Sequence, residues 1–278
     1  MKLGIVGLGL IGGSLGLDLR DRGFEVLGVS RRQSTCDLAV AMGVADRASL
    51  DLSLLAEADL IFICTPIAKI APTIEQLIPY LRPETIITDV GSVKAPIVSD
   101  CAALWDNFVG GHPMAGTANS GVEAAERNLF QGATYVITPT EKTSVAALNK
   151  VKDLACSLGS SVIITAPTVH DRAVAWISHL PVMVSAGLIS AVTAETDSQA
   201  LKLAISLASS GFRDTSRVGG GNPELGLMMA QYNREELLRS MKQYRHNLDR
   251  FIELIEAENW QALEDILKST RAKRPDFL

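Results

Sequence analysis

Near its start the chain carries Gly7-Leu8-Gly9-Leu10-Ile11-Gly12, a G-x-G-x-x-G turn. The apolar run 2–6 precedes it, and a helical pattern reaching Arg22 follows, with Gly23 as its stop. Strand, glycine turn and helix in that order commit the first part of the chain to a parallel α/β unit whose helix N-terminus faces a phosphate. Gly7 serves the tight turn, Gly9 the close approach of a pyrophosphate, and Gly12 the packing of helix on strand. Leu8, Leu10 and Ile11 complete the expected dinucleotide contact. A second strand is predicted over 25–29 and ends at Ser30-Arg31-Arg32. An NAD site usually places a carboxylate there for the ribose; a hydroxyl and two guanidiniums suit a 2′-phosphate, which a carboxylate would repel. These residues therefore predict NADP, although a solvated basic pair reads the same way in sequence.

The 278 residues give room for two cores. With 47% hydrophobic but only 5% aromatic residues, the chain has an aliphatic α/β composition. A net charge of −5 argues against nucleic acid or an anionic membrane as partner. No uninterrupted apolar run reaches the roughly 18 residues of a membrane helix. Because a core strand starts at Lys2, no targeting segment is expected before it. Cys36, Cys64, Cys101 and Cys156 are scattered without a C-x-x-C pair, which predicts reduced thiols and a cytoplasmic protein. Cysteines and histidines show no ligand spacing, so no metal is expected.

Short β-branched runs (60–64, 85–89, 108–110, 135–137, 162–164) alternate with helical patterns, the signature of a parallel sheet with crossover helices. After Ala166-Pro167 only helical periodicity remains, over 170–195, 198–209, 234–258 and from Trp260, with a glycine-rich break at 218–223. The prediction is an N-terminal Rossmann-type doubly wound sheet over 1–165, followed by an all-helical substrate and dimerisation domain over 166–278. The first long helix is apolar around most of its circumference. A small helical domain cannot bury such a helix alone, which predicts a homodimer.

Ligands of a doubly wound sheet lie at the carboxyl ends of its strands. Three loops are predicted there: Cys64-Thr65-Pro66 along the cofactor, Gly91-Ser92-Val93-Lys94, and 110–117 with His112 between glycines and a proline. A histidine beside a nicotinamide suits the removal of a hydroxyl proton. Ser92 fits either an orienting contact or a helix cap. His179, on an apolar stretch, reads equally as a core histidine or a ligand contact. Asp171 reads most simply as a partner of its own helix dipole.

The glycine turn, Asp89-Val90-Gly91-Ser92-Val93-Lys94 and Gly110-Gly111-His112-Pro113-Met114-Ala115-Gly116-Thr117 with Ser120-Gly121 together resemble the prephenate/arogenate dehydrogenases. Ser178-His179-Leu180-Pro181 and Gly211-Phe212-Arg213-Asp214-Thr215-Ser216-Arg217 continue the likeness, which is nearest to the compact cyanobacterial type. The resemblance implies NADP-dependent oxidative decarboxylation of arogenate to tyrosine, or of prephenate to 4-hydroxyphenylpyruvate. It further implies His112 as base, Ser92 beside it, Thr117 and His179 in the substrate pocket, and Arg217 on a substrate carboxylate, with Arg213 as competitor. β-Hydroxyacid dehydrogenases share the architecture, but their helix lysine has no counterpart over 171–188. A catalytically silent NADPH sensor would be expected to lose the base. Replacing Ser30 with Asp and neutralising Arg31 is expected to shift the NADP/NAD ratio of kcat/KM toward NAD; an unchanged ratio would remove the 2′-phosphate assignment.

Overall fold

The computed structural model describes residues 1–117 and 119–277; Leu278, the end of the expected second domain, lies outside them. The N-terminal half runs β1 (Lys2–Val6), α1 (Leu10–Asp21), β2 (Glu25–Val29), α2 (Gln33–Ala41), β3 (Arg47–Ser49), β4 (Leu60–Ile63), α3 (Ile70–Leu77) and β5 (Ile86–Asp89). It continues through α4 (Ala95–Leu104), β6 (Phe108–Pro113), β7 (Thr134–Thr138), α5 (Val145–Ser157) and β8 (Ser161–Ile164). The eight strands form one sheet in the order β3-β2-β1-β4-β5-β6-β7-β8. Helices cover both faces, so a central strand such as β4, Leu-Ile-Phe-Ile, is buried along its whole length. Chain direction through the sheet order reverses between β1 and β4, where a doubly wound sheet opens its crevice.

Two expectations are corrected. Residues 110–113 belong to strand β6, so His112 is held on a sheet and the loop begins only at Met114. The sheet is also not wholly parallel, because β6 and β7 pair antiparallel, His112 opposite Val136. The physical reason lies in the 114–133 connection, which has no crossover helix among its described residues to carry the chain back. It is strapped to α1 instead, where Glu126 N–H donates to Ser14 Oγ at 2.9 Å and Asn128 N–H to Asp18 Oδ1 at 2.8 Å. The short edge strand β3 was unforeseen, since Arg47-Ala48-Ser49 carries no apolar alternation.

No strand follows β8 among the described residues. The helices are α6 (Pro167–Val174), α7 (Leu180–Thr193), α8 (Ser198–Leu207), α9 (Ser210–Ser216), α10 (Pro223–Tyr232), α11 (Arg234–Glu256) and α12 (Trp260–Lys273). A π-helical turn, Ala175–His179, joins α6 to α7 within the expected first long helix. The run Pro167–Thr193 is long and apolar enough to cross a membrane. Yet it carries buried, hydrogen-bonded His170, Asp171 and His179, the pattern of a protein interior. Apolar side chains such as Leu203, Ile205, Leu207 and Leu227 lie exposed, so one chain alone leaves this half partly uncovered.

A buried ion pair fixes the middle of the sheet. Lys94 Nζ pairs with Asp89 Oδ2 and donates to the Gly111 carbonyl at 2.7 Å, with both side chains fully buried. Asp89 also accepts from Gly91 N–H at 2.8 Å and Gly111 N–H at 3.1 Å. Burial pushes the Lys94 amine below its ordinary pKa, and Asp89 offsets that by favouring the charged form. Lys94→Met strands the carboxylate and is expected to lower the unfolding free energy, read by urea titration, by about 3–5 kcal/mol. A loss below about 1 kcal/mol, the scale of a surface pair, would refute this role.

Candidate active site

At the end of β1, Gly7 has φ +98°, and a Cβ there would sit 2.6 Å from the Cys64 carbonyl oxygen. A Cβ at Gly12 would collide with the Gly7 carbonyl, whereas one at Gly9 would meet nothing within 4 Å. The turn is therefore closed beneath and open above, as a bound pyrophosphate requires. Gly9 begins α1 without a side-chain cap, which leaves the first N–H groups to an anion. Leu8 is buried while Leu10 and Ile11 are half-buried. At the end of β4, Cys64 and Thr65 are half-buried and Pro66 is exposed. Thr65 Oγ1 is buried without a partner, an orphan beside the cradle that suits a bound polar group. Arg31 and Arg32 are exposed at the end of β2 and have no ion-pair partner among the described residues. Ser30 N–H donates to the Ser49 carbonyl at 3.2 Å. These features fit a dinucleotide.

His112 extends beyond the end of β5 on β6. Gly111 before it is packed so closely that a Cβ would lie 2.7 Å from the Asp89 carbonyl. His112 Nδ1 lies 2.8 Å from His170 Nε2, and His170 Nδ1 lies 2.8 Å from Asp171 Oδ1. The Asp171 carboxylate also accepts the N–H groups of Lys94 and Ala95, each at 2.7 Å. Main-chain N–H groups only donate, so Asp171 is an acceptor throughout and His170 directs its Nδ1 proton to it. His170 Nε2 then accepts from His112 Nδ1–H, and the lone pair on His112 is left on Nε2. Burial holds His112 well below the ordinary 6.5, with His170, Lys94 and His179 adding to that shift. The His112 imidazole is neutral near pH 7 and carries its free lone pair on one defined nitrogen.

The simple reading of Asp171 is corrected here. Its carboxylate caps α4 in the other half of the chain rather than serving only its own helix dipole. Ser92 does not cap that helix; its Oγ is buried without a partner. The π turn brings His179 to a fully buried position, with Nδ1 3.1 Å from Asn233 Nδ2 and Nε2 unpartnered. Burial pushes His179 down to about 4, against the upward pull of Asp171 and the Ser92 main chain. Ser92, His112, His170 and His179 thus converge around one point at the carboxyl end of the sheet.

Three expected residues do not join this cluster directly. Thr117 is exposed and its Oγ1 accepts from Asn119 N–H at 3.2 Å. Arg213 on α9 is exposed and pairs with Asp214 at 3.4 Å. Arg217 is exposed just past α9 and has no ion-pair partner among the described residues, which leaves it the freer of the two cations. Sequence reasoning missed His170, Asn233 and the Lys94–Asp89 pair. His170 beside Asp171 offered a faint signal as an adjacent acid–base pair, while Asn233 offered none.

Comparison with known proteins adds two family-model matches. Residues 15–164 match the model described as prephenate dehydrogenase, nucleotide-binding domain, and residues 166–269 the model described as prephenate dehydrogenase, dimerization domain. The chain is 31% identical over 277 residues to a prephenate dehydrogenase of Bacillus subtilis, covering 97% of this chain and 74% of that protein. Among solved structures, Synechocystis arogenate dehydrogenase is 55% identical with TM-score 0.90, covering 100% of both chains. Prephenate dehydrogenase from A. aeolicus, solved with hydroxyphenyl propionate and NAD+, is 28% identical with TM-score 0.94, covering 100% of this chain and 98% of that one.

Proposed function

The chain belongs to the prephenate dehydrogenase family, and from that premise we propose that it converts L-arogenate to L-tyrosine by NADP-dependent oxidative decarboxylation. The observation that carries the reading is the chain of hydrogen bonds Asp171–His170–His112, which leaves a neutral imidazole with its lone pair on Nε2 beside a dinucleotide cradle. When bound, the nicotinamide supplies a hydride acceptor for the ring carbon that carries the hydroxyl. His112 Nε2 takes the hydroxyl proton, and the positive charge that forms is steadied through His170 by Asp171. Ser92 orients the hydroxyl, its unpartnered Oγ finding there the partner it lacks. His179 and Thr117 line the pocket, and Arg217, or Arg213 in its place, holds a substrate carboxylate. Loss of the ring carboxylate as CO2 leaves the ring aromatic, which makes the step effectively irreversible.

The NADP assignment draws on Ser30, Arg31 and Arg32, the two cations having no ion-pair partner among the described residues, where a carboxylate would otherwise stand. Residues 1–165 form the cofactor-binding unit and 166–278 the substrate and dimerisation unit in this reading. A homodimer through the helical half covers the exposed leucines and isoleucine. A cytoplasmic location accords with four free cysteines. The preference for arogenate over prephenate rests on the 55% identity to the Synechocystis arogenate dehydrogenase. Likeness to the B. subtilis and A. aeolicus proteins favours a second reading in which prephenate, or both acids, are oxidised. The intact histidine chain weighs against a silent cofactor sensor.

Specificity constants for both acids with both cofactors, followed by absorbance of the reduced cofactor, test the proposal. Arogenate with NADP is expected to give the largest value; prephenate giving the largest overturns the substrate assignment. His112→Asn is expected to lower kcat by about 10²–10⁴-fold with little change in cofactor KM. A kcat within a few-fold of the parent would remove the base from His112. The pH profile follows from the direction of the His112 shift. A base held below 6.5 stays neutral down to that pH, so the acid limb of kcat is expected below pH 6.5, with activity lost as pH falls through it. A limb centred above pH 7 would contradict this.

A further inference from the structure

His179 is fully buried, yet the mechanism above asks of it only that it line a pocket. Its ring nitrogens are in unlike situations. Nδ1 faces Asn233 Nδ2 at 3.1 Å, whereas Nε2 is buried with no partner within hydrogen-bond distance, although the Ser92 main chain lies close enough to favour a protonated ring. Asn233 lies at the junction of α10 and α11 and is itself buried. The same Nδ2 lies 2.8 Å from the Asp171 main-chain carbonyl. A carbonyl only accepts, so that contact settles which end of the Asn233 amide is nitrogen. A flipped amide would set two oxygens against each other at that distance. With the amide fixed, its N–H must donate to His179 Nδ1, because two opposed N–H groups at 3.1 Å would repel. The ring proton is thereby assigned to Nε2.

We infer that Asn233 is a positioning residue that locks His179 in the neutral Nε2–H tautomer, so that the pocket presents one fixed N–H donor to an oxygen of the cyclohexadienyl acid. A buried donor short of a well-placed acceptor is costly, and a substrate carboxylate or hydroxyl oxygen that reaches it relieves that cost. Asn233 does not touch substrate; it acts through His179. The Asp171 carbonyl that orients Asn233 belongs to the residue whose carboxylate orients His170, so both site histidines are set in opposite senses from one point. His112 is left with its Nε2 bare as an acceptor, and His179 with its Nε2 protonated as a donor.

The inference rests on the dehydrogenase reading for its substrate but not for its tautomer, and the test separates the two. Side-chain 15N NMR of the intact protein, with His179 assigned by comparison with His179→Gln, reads the tautomer directly. The expected result is a neutral ring protonated at Nε2 from about pH 6 to 8; a proton on Nδ1, or an imidazolium in that range, overturns the inference. Asn233→Asp offers Nδ1 an acceptor and is expected to move the proton to Nδ1. The KM of the cyclohexadienyl acid should then rise about tenfold, while the KM of NADP stays within about twofold and the acid limb of kcat is unmoved. Asn233→Ala, which removes the donor to Nδ1, is expected to give mixed tautomers and a smaller rise. A native tautomer in either folded variant, or substrate and cofactor KM rising together, refutes the role. Should neither variant fold, the parent spectrum alone decides the tautomer. A parent protein inert toward both acids but with Nε2–H on His179 would overturn the functional reading and leave the tautomer assignment standing.

Discussion

The Asp171 carboxylate is the group on which the rest of the site depends. A carboxylate is tolerated in a protein interior only when its oxygens are met by donors. Here those donors come from both halves of the chain: Lys94 and Ala95 N–H at the start of α4, and the His170 ring on α6. Satisfying that one charge docks the helical half against the sheet. It also fixes His170, and through it the orientation and tautomer of His112. Packing and site geometry meet here because the bonds that make the charge tolerable are those that aim the His112 ring.

Lys94 links this group to the sheet. Its main chain serves Asp171, while its amine reaches back to Asp89 and the Gly111 carbonyl, one residue before His112. His112 is thus held from its own backbone on one side and from its ring on the other. With so much determined in advance, little reorganisation is left for the moment of reaction. The sheet contributes by ending β5 at Asp89 while β6 runs on, so that His112 stands beyond its parallel neighbour and leans on antiparallel β7.

Local patterns were legible in the sequence where one residue type has one physical use. The glycine turn, the fully apolar β4 and the stop at Gly23 could be read because few structures tolerate other residues there. The change from strands to helices after residue 166 was equally plain from periodicity. The reversal at β7 was not, because strand direction depends on the path of the 114–133 connection and not on strand composition. Within the site, His112 stood out through its glycine neighbours. His170 and Asn233 did not, since their roles come from partners 58 and 54 positions away in the chain. Asp171 was seen but misassigned for the same reason: local helix electrostatics explains its position, and a contact 77 residues distant explains its carboxylate.

The π turn at Ala175–His179 has a consequence for how the length of this segment is constrained. Such a turn holds one residue more than an α-helix would over the same rise. Each residue of an α-helix turns the chain by about 100°. Winding the same residues as an unbroken α-helix would therefore swing the His179 imidazole about a quarter-turn away from its present direction. A gain in backbone regularity would carry the loss of the His179–Asn233 contact. The segment is held irregular by a register requirement: Asp171 must meet α4 and His179 must meet Asn233, and an unbroken helix of the same span satisfies only one of the two.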